Sequence, residues 1–431
     1  ERHFKYVWSA FLFIKNFFCK LRLNLIIMHI LYNFSIHLMR FFVAFMSLFK
    51  RKMRLRHQGG KEVFSVLEQN IDKSKRYVWF HAASLGEFEQ GRPMIERLRR
   101  AHPEQKIILT FFSPSGYEIR KNYAEVDIVC YLPFDVPADV KRFLDLVNPE
   151  KAIFIKYEFW ANYLLELKKR QIPTYIISAI FRPKQRFFKK YGRFFLHLLD
   201  SFTMIFVQDE QSKELLNRFG VQRVTVGDDT RFDRVADIAK AAKVLPIAEA
   251  FAQGAEVLVA GSSWEPDEEF LIRYVNANKE RKLIMAPHEI SEEHIANICS
   301  KLRCNFVLYT KTTPEEAANA HCLVVDTIGI LSSLYRYGQV AYIGGGFGAG
   351  IHNTLEAAVW NVPVVFGPNY QKFREARALV ACGGGYSVAS YRQMEDRVNA
   401  LFLDPEAATS AGNYVRSHVG ATDFIYNQLF Q

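Results

Sequence analysis

Short, continuous apolar runs alternate with amphipathic stretches through most of this chain, and they do so in two series. The first is YVWFHA (77–82), KIILTFF (106–112), DIVCYL (127–132), AIFIKY (152–157), TYIISA (174–179) and MIFVQ (204–208). The second is EVLVAGSS (256–263), KLIMAP (282–287), NFVLYT (305–310), CLVVDT (322–327), VAYIGGG (340–346) and VPVVFG (362–367). Segments such as 87–102 and 137–147 between the runs carry helical periodicity. Apolar strands joined by helical crossovers predict a parallel sheet covered on both faces. Two such series predict an α/β chain of two doubly wound, Rossmann-like domains facing each other across a cleft, with ligands at the carboxyl ends of the strands. The polar stretch GDDTRFDRVADIAKAAK (227–243) reads as the linker, giving domains over 58–226 and 244–431.

Ahead of the first series the pattern is different. HILYNFSIHLMRFFVAFMSLF (29–49) is apolar almost throughout and is followed at once by KRKMRLR. It is long enough to span a bilayer, yet Asn33, His37 and Arg40 interrupt it, so spanning and lying in the interface both remain open. Residues 1–60 hold eleven Lys and Arg against Glu1 alone, a charge of +10 out of the total of +11. Basic charge confined to one apolar end points to an anionic membrane surface on the cytoplasmic side and away from nucleic acid. No small-residue cleavage site precedes the charges, which favours an anchor (28–57) over a signal peptide. Met28 opens the anchor, and residues 1–27 read as an upstream extension. The six cysteines form no C-x-x-C pair and no metal-ligand spacing, as in a reducing compartment without structural zinc.

Candidate chemistry clusters at strand-to-helix junctions. HAASLGEFEQG (81–91) puts Ser84, Gly86 and Glu87 at one of them. Ser84 and Glu87 match the capping box S-x-x-E, in which Glu87 is a helix cap and not a base. The same stretch supports a second expectation, that Glu87 is turned off the cap and into the cleft while Ser84 caps alone. TFFSPSGYE (110–118) places Ser113, Ser115 and Gly116 at another junction, and KYEFWAN (156–162) sets Glu158 just after a strand. AGSSWEPDEE (260–269) offers Ser262 and Ser263 to a phosphate, or simply caps a helix. In GGGFGAGIHNTLEAAVWNVPVVFGP (344–368), a strand ends in glycines and a helix is expected to start near His352–Asn353, with Glu356 one turn on and on the face of His352. Such a loop lets backbone amides approach an anion, although it matches neither the dinucleotide fingerprint nor Walker A. A basic and aromatic region, Lys168 to Arg193, includes Arg182, Lys184, Arg186, Lys189, Lys190, Tyr191 and Phe194, and suits a lipid surface.

Taken together, HAASLGE, YLPFD (131–135), YEFWAN, DTIGILSSLY (326–335) and GAGIHNTLEAA (348–358) closely resemble the bacterial Kdo transferases, membrane-associated GT-B glycosyltransferases of lipopolysaccharide synthesis. The resemblance runs from about residue 28 to the end. It implies CMP-Kdo as donor, a tetraacylated lipid A precursor as acceptor, inverting transfer, and neither metal nor further cofactor. It makes Glu87 the base on the acceptor hydroxyl. The donor pocket would comprise Gly348, Gly350, His352, Asn353 and Glu356, with Ser262 and Ser263 near the phosphate and Arg231 as the basic residue of the linker motif. Acceptor contacts would come from Ser84, Gly86, Ser115, Gly116, Glu158 and Arg182. The chain departs from the family at His288, Ser178 and Ile330, where Arg, Asn and Glu are common. Alternatives are another GT-B enzyme, such as a nucleotide-sugar 2-epimerase or a lipid-linked sugar transferase, and a non-catalytic lipid-binding protein.

Overall fold

The computed structural model describes residues 25–189 and 192–431. The expected extension over 1–27 lies outside the described residues as far as residue 24, and so do Lys190 and Tyr191. The chain forms two compact units: unit 1 runs to Arg231 and takes in Gly420–Gln431, while unit 2 is Phe232–Val419.

Unit 1 holds seven strands, β1 (Tyr77–Ala82), β2 (Lys106–Phe111), β3 (Ile128–Tyr131), β4 (Pro149–Ile155), β5 (Thr174–Ala179), β6 (Met204–Val207) and β7 (Val224–Val226). They are ordered β3-β2-β1-β4-β5-β6-β7, and every neighbouring pair is parallel. The crossover helices follow the sequence pattern. Pro137–Val147 has proline in its first turn, buries Val140, Phe143, Leu144 and Val147 at i, i+3, i+4 and i+7, and ends on Asn148 in the left-handed region. Trp79 of β1 shows how the core reaches the site. Its ring packs on Phe143, Phe154 and Tyr163 at 5.0, 5.2 and 5.5 Å, and its indole N–H donates to Thr110 Oγ1 at 2.8 Å.

Unit 2 repeats the plan with β8 (Glu256–Ser263), β9 (Arg281–Pro287), β10 (Phe306–Leu308), β11 (Cys322–Val324), β12 (Val340–Ile343), β13 (Val364–Phe366) and β14 (Gly385–Ser387). The order is β10-β11-β9-β8-β12-β13-β14, again parallel throughout. In unit 1 the strand order reverses between β1 and β4; in unit 2 the central reversal lies between β8 and β12, and β10 and β11 are exchanged at the edge. The central reversals are the positions at which open α/β sheets bind ligands, beyond the carboxyl ends of the strands.

The domain plan read from the sequence changes in two places. The boundary at 57/58 falls inside one continuous helix, Arg51–Asn70, whose Val63 and Leu67 are buried in the core of unit 1. The division between the units, Arg231/Phe232, falls inside 227–243, and the helix Arg231–Lys240 there sends Phe232 and Val235 into the core of unit 2. The second domain also stops short of residue 431. The helix Ala421–Phe430 belongs to unit 1, where Ile425, Tyr426 and Leu429 are buried and Arg97 bonds Asp423 at 2.7 Å. Upstream, a helix over Leu25–Met46 is long and apolar enough to cross a membrane by length and composition.

Candidate functional site

In unit 1 the reversal point is framed by the ends of β1 and β4. β1 runs into the helix Leu85–Ala101, whose first turn carries Glu87. Ser84 is extended and makes no side-chain bond to the helix backbone; its hydroxyl donates to the Glu87 carboxylate instead. Both capping expectations are therefore corrected. Glu87 does not reach back to the N-cap amide, and the Ser84 hydroxyl oxygen accepts no backbone N–H of the helix. Gly86 is exposed, and a Cβ there would meet only Ser84 Oγ, at 3.8 Å. The neighbouring junction after β2 is tied to this loop by Ser113 N donating to Ala83 O at 2.7 Å. There Ser113 caps the helix Pro114–Arg120, bonding Ser115 at N (3.3 Å) and Oγ (3.0 Å), and Gly116 lies against the ring of Phe111.

Beyond β4, Glu158 is buried, and a single oxygen, Oε2, receives His81 Nε2 at 3.0 Å and Trp160 Nε1 at 2.6 Å. His81, fully buried at the end of β1, has its Nδ1 2.9 Å from Thr110 Oγ1. Nδ1 also lies 3.1 Å from the Thr110 carbonyl oxygen, so the imidazole is held between Thr110 and Glu158. This network links the Trp79 core to the loop after β4 and makes Glu158 a structural partner of His81. The histidine is structural, as its sequence context suggests, but the pairing depends on strand order.

Tyr157, next to Glu158, brings several expected residues together. Burial raises the pKa of its hydroxyl, Arg182 and Arg231 pull it back, and Glu87 and Asp229 push it up, so all four charges act on this hydroxyl. Arg231 is bound to Asp229 at 2.7 and 3.0 Å. Asp229 is buried; desolvation alone would raise its carboxyl, but Arg231, together with Gln90, holds it below the ordinary range. The structure thus places Arg231 in unit 1, facing Asp229.

In unit 2 the reversal point lies between the ends of β8 and β12. Ser262 and Ser263 close β8, but they differ: Ser263 is buried and donates to Glu268 at 3.2 Å, whereas Ser262 is part-exposed. Ser262, Lys156 and Ser178, all at or beside strand ends, have φ of 53°, 69° and 52°. Such backbone costs on the order of 1–3 kcal/mol per residue and concentrates at functional sites. The glycine loop after β12 packs directly on Ser262: a Cβ at Gly344 would sit 2.2 Å from Ser262 O. Asp267 organises the loop, accepting Gly345 N at 2.8 Å, Tyr342 Oη at 2.9 Å and Trp264 N at 3.0 Å.

The helix expected at His352–Asn353 starts later and is a single turn, Leu355–Ala358. His352 is therefore outside it, and its proposed helical face shared with Glu356 does not exist. Asn353 makes the local connection, accepting Leu355 N at 3.1 Å and donating to Glu356 at 3.0 Å. His352 instead accepts Trp264 Nε1 at 3.1 Å, and His288 stacks beside both, 4.5 Å from Trp264 and 4.7 Å from His352. Burial, and then the neighbouring His288, lowers the pKa of His352 and favours the neutral ring. Gly348 and Gly350 lie in the same loop, where Gly350 has a φ of 142°. Sequence reasoning missed Trp264, Asp267 and Tyr157. The W-E-P-D spacing was a visible capping signal for Asp267, while nothing local marked Tyr157.

A profile of the family described as 3-Deoxy-D-manno-octulosonic-acid transferase (kdotransferase) matches residues 57–234. The 3-deoxy-D-manno-octulosonic acid transferase of Aquifex aeolicus is 28% identical over 341 residues, 78% of this chain and 88% of that protein. That of Haemophilus influenzae is 26% identical over 351 residues, covering 78% and 81%. Among solved structures, the UDP-GlcNAc 2-epimerase of Neisseria meningitidis superposes with a TM-score of 0.58 at 14% identity, over 82% of this chain and 99% of its own, a likeness of fold alone. Two Rossmann-like sheets of GT-B type, with these relatives across most of the chain, mark this protein as a glycosyltransferase similar to the 3-deoxy-D-manno-octulosonic-acid (Kdo) transferases.

Proposed function

We propose that the chain transfers Kdo from CMP-Kdo to a tetraacylated lipid A precursor at the cytoplasmic face of the inner membrane, with inversion and without a metal or further cofactor. The observation that carries this reading is Glu87, part-exposed at the reversal point of unit 1, with Ser84 fixing its carboxylate beside the exposed Gly86. In the reaction, the acceptor hydroxyl gives its proton to Glu87 while its oxygen attacks the anomeric carbon. The bond from that carbon to the phosphate oxygen breaks on the opposite face, and CMP leaves with the electron pair. General-base assistance of this kind is worth roughly 10²–10⁴ in rate. The transition state is oxocarbenium-like, as in glycoside hydrolysis.

Donor binding falls to unit 2. Its leaving phosphate suits the backbone of the Gly344–Gly350 loop and Ser262, since oriented amides stabilise an anion without a metal. Gly348, Gly350, His352, Asn353 and Glu356 complete that proposed pocket; Ser263, bound to Glu268, shapes it from below. In unit 1, Ser115, Gly116 and Arg182 are the proposed acceptor contacts, Glu158 positions the loop through His81, and Arg231 acts through Asp229 and Tyr157.

The test is direct. Purified full-length chain is mixed with CMP-Kdo and detergent-dispersed lipid A precursor, CMP is measured, and the product is weighed by mass spectrometry. CMP release that requires the acceptor, with whole Kdo units added, is the expected result; their number is read from the same spectrum. Lipid binding without turnover would sink the enzyme reading.

A further inference from the structure

The helix Leu25–Met46 is amphipathic the wrong way round for a soluble protein. Four of its polar residues, His29, Tyr32, Asn33 and Arg40, bond its own domain, while Ser35 and His37 are exposed. His29 Nε2 lies 2.7 Å from Asn162 Oδ1, Asn33 accepts Asn162 Nδ2 at 2.8 Å, Tyr32 donates to Asp135 at 2.6 Å, and Arg40 donates to Asp139 at 3.0 Å. Ile36 and Val43 share this face and pack with Phe134 and Val136. The opposite face is exposed and mainly apolar, with Ile27, Ile30, Phe34, Leu38, Phe41 and Phe45, and His37 at its edge.

This arrangement does not suit a spanning segment. To cross the hydrocarbon, the helix would have to leave unit 1 and carry His29, Asn33 and Arg40 into lipid without their partners. Docked as it is, it is held against a water-soluble α/β unit from His29 to Val43, almost end to end. The charge agrees. Lys50, Arg51, Lys52 and Arg54 are exposed just beyond one end. At the other end, where Phe194 packs against His29 and Tyr32 at 6.1 and 6.0 Å, Lys184, Arg186, Lys189 and Arg193 are exposed. Apolar side chains bordered by basic ones at both ends match a helix lying in the headgroup region of an anionic bilayer.

We propose that Leu25–Met46 lies in the plane of the membrane, does not cross it, and docks unit 1 onto an anionic lipid surface through its outward apolar face. This rests on the membrane-surface part of the function proposed above and is independent of the transfer chemistry.

The experiment uses the full chain with vesicles of phosphatidylethanolamine and phosphatidylglycerol, without donor or acceptor, so that its failure leaves the transferase reading intact. Azidophenylalanine at positions 27, 34 or 45, all on the outward face, carries a spin label whose depth is read from oxygen and aqueous-nickel accessibility. An in-plane helix puts the three labels within about 5 Å of one depth. A spanning helix separates positions 27 and 45 by roughly 27 Å along the membrane normal, from 1.5 Å of rise per residue, and that result overturns the proposal. So does shielding of the labels before vesicles are added, which would mean that residues 1–24 or a second copy covers the face. Phe34→Asp with Phe41→Asp should weaken vesicle binding at least tenfold with the thermal midpoint unchanged. Unaltered binding, or binding indifferent to replacing phosphatidylglycerol with phosphatidylcholine, also counts against it.

Discussion

The two units solve the same topological problem with different chemistry. Each has a parallel sheet with a central reversal of strand order, and each places candidate residues at that reversal. In unit 1 the position is crowded with ionisable side chains: Glu87, Glu158, His81, Tyr157, Arg182 and the Asp229–Arg231 pair. In unit 2 it is built mainly from backbone, the Gly344–Gly350 loop laid on Ser262 and tied to Asp267, with aromatic and imidazole rings beside it. Side chains that gain and lose protons suit an acceptor that must be deprotonated. Backbone that offers amides at fixed positions suits a donor whose leaving group is already an anion. The sheet supplies the location in both units, and the loop residues supply the difference.

The sharpest way to break this contrast is to remove the proposed proton acceptor. Glu87→Gln keeps the shape and the hydrogen bond from Ser84 but cannot take up a proton. Turnover should fall by roughly 10²–10⁴, with the thermal midpoint and donor affinity unchanged. Near-normal turnover would return Glu87 to a structural role at the start of its helix, and proton chemistry would no longer distinguish unit 1.

Much of this was legible in advance because the strands are continuous and apolar. YVWFHA, TYIISA and EVLVAGSS coincide with β1, β5 and β8 residue for residue. The strands that escaped were β7 and β14, three residues each, at one edge of their sheets, too short to show any period. The return of Ala421–Phe430 to unit 1 was hidden for another reason. Ile425 and Leu429 look like any amphipathic helix, and only tertiary packing says which core receives them. The site divides in the same way. Glu87 and the glycine loop stood out as local patterns, whereas His81–Glu158 joins residues 77 positions apart and needs β1 beside β4.

A second test probes the backbone character of unit 2. Gly344→Ala forces a Cβ to within 2.2 Å of Ser262 O, a main-chain atom that cannot swing aside. Overpacking of this sort costs about 1–3 kcal/mol, and the displaced loop should lose donor affinity about tenfold or more while binding of the lipid acceptor is untouched. Isothermal titration with CMP and with the lipid reads the two separately. Equal losses in both would mean that the loop does not serve the donor alone.

The smallest effect concerns the rings beside that loop. His352 accepts the indole N–H of Trp264 through Nε2, which requires a neutral imidazole. Burial and the adjacent His288 lower its pKa below the usual 6.5, so the folded protein resists protonation there. The sign follows from proton uptake. Below pH 6.5 the unfolded chain takes up this proton more readily than the folded one, so the contribution to stability is complete above 6.5 and is lost as pH falls toward the lowered value. Protonation turns Nε2 into a donor, breaks the bond to Trp264 and sets an imidazolium beside the indole. Tryptophan emission should therefore titrate with a midpoint below 6.5, and His352→Gln should abolish that transition while leaving the rest of the spectrum in place. A midpoint at or above 6.5 would mean that the imidazole is not held neutral. Unit 2 would then carry a titrating group beside its glycine loop, and the division between a proton-handling unit and a backbone-built one would fail at that residue.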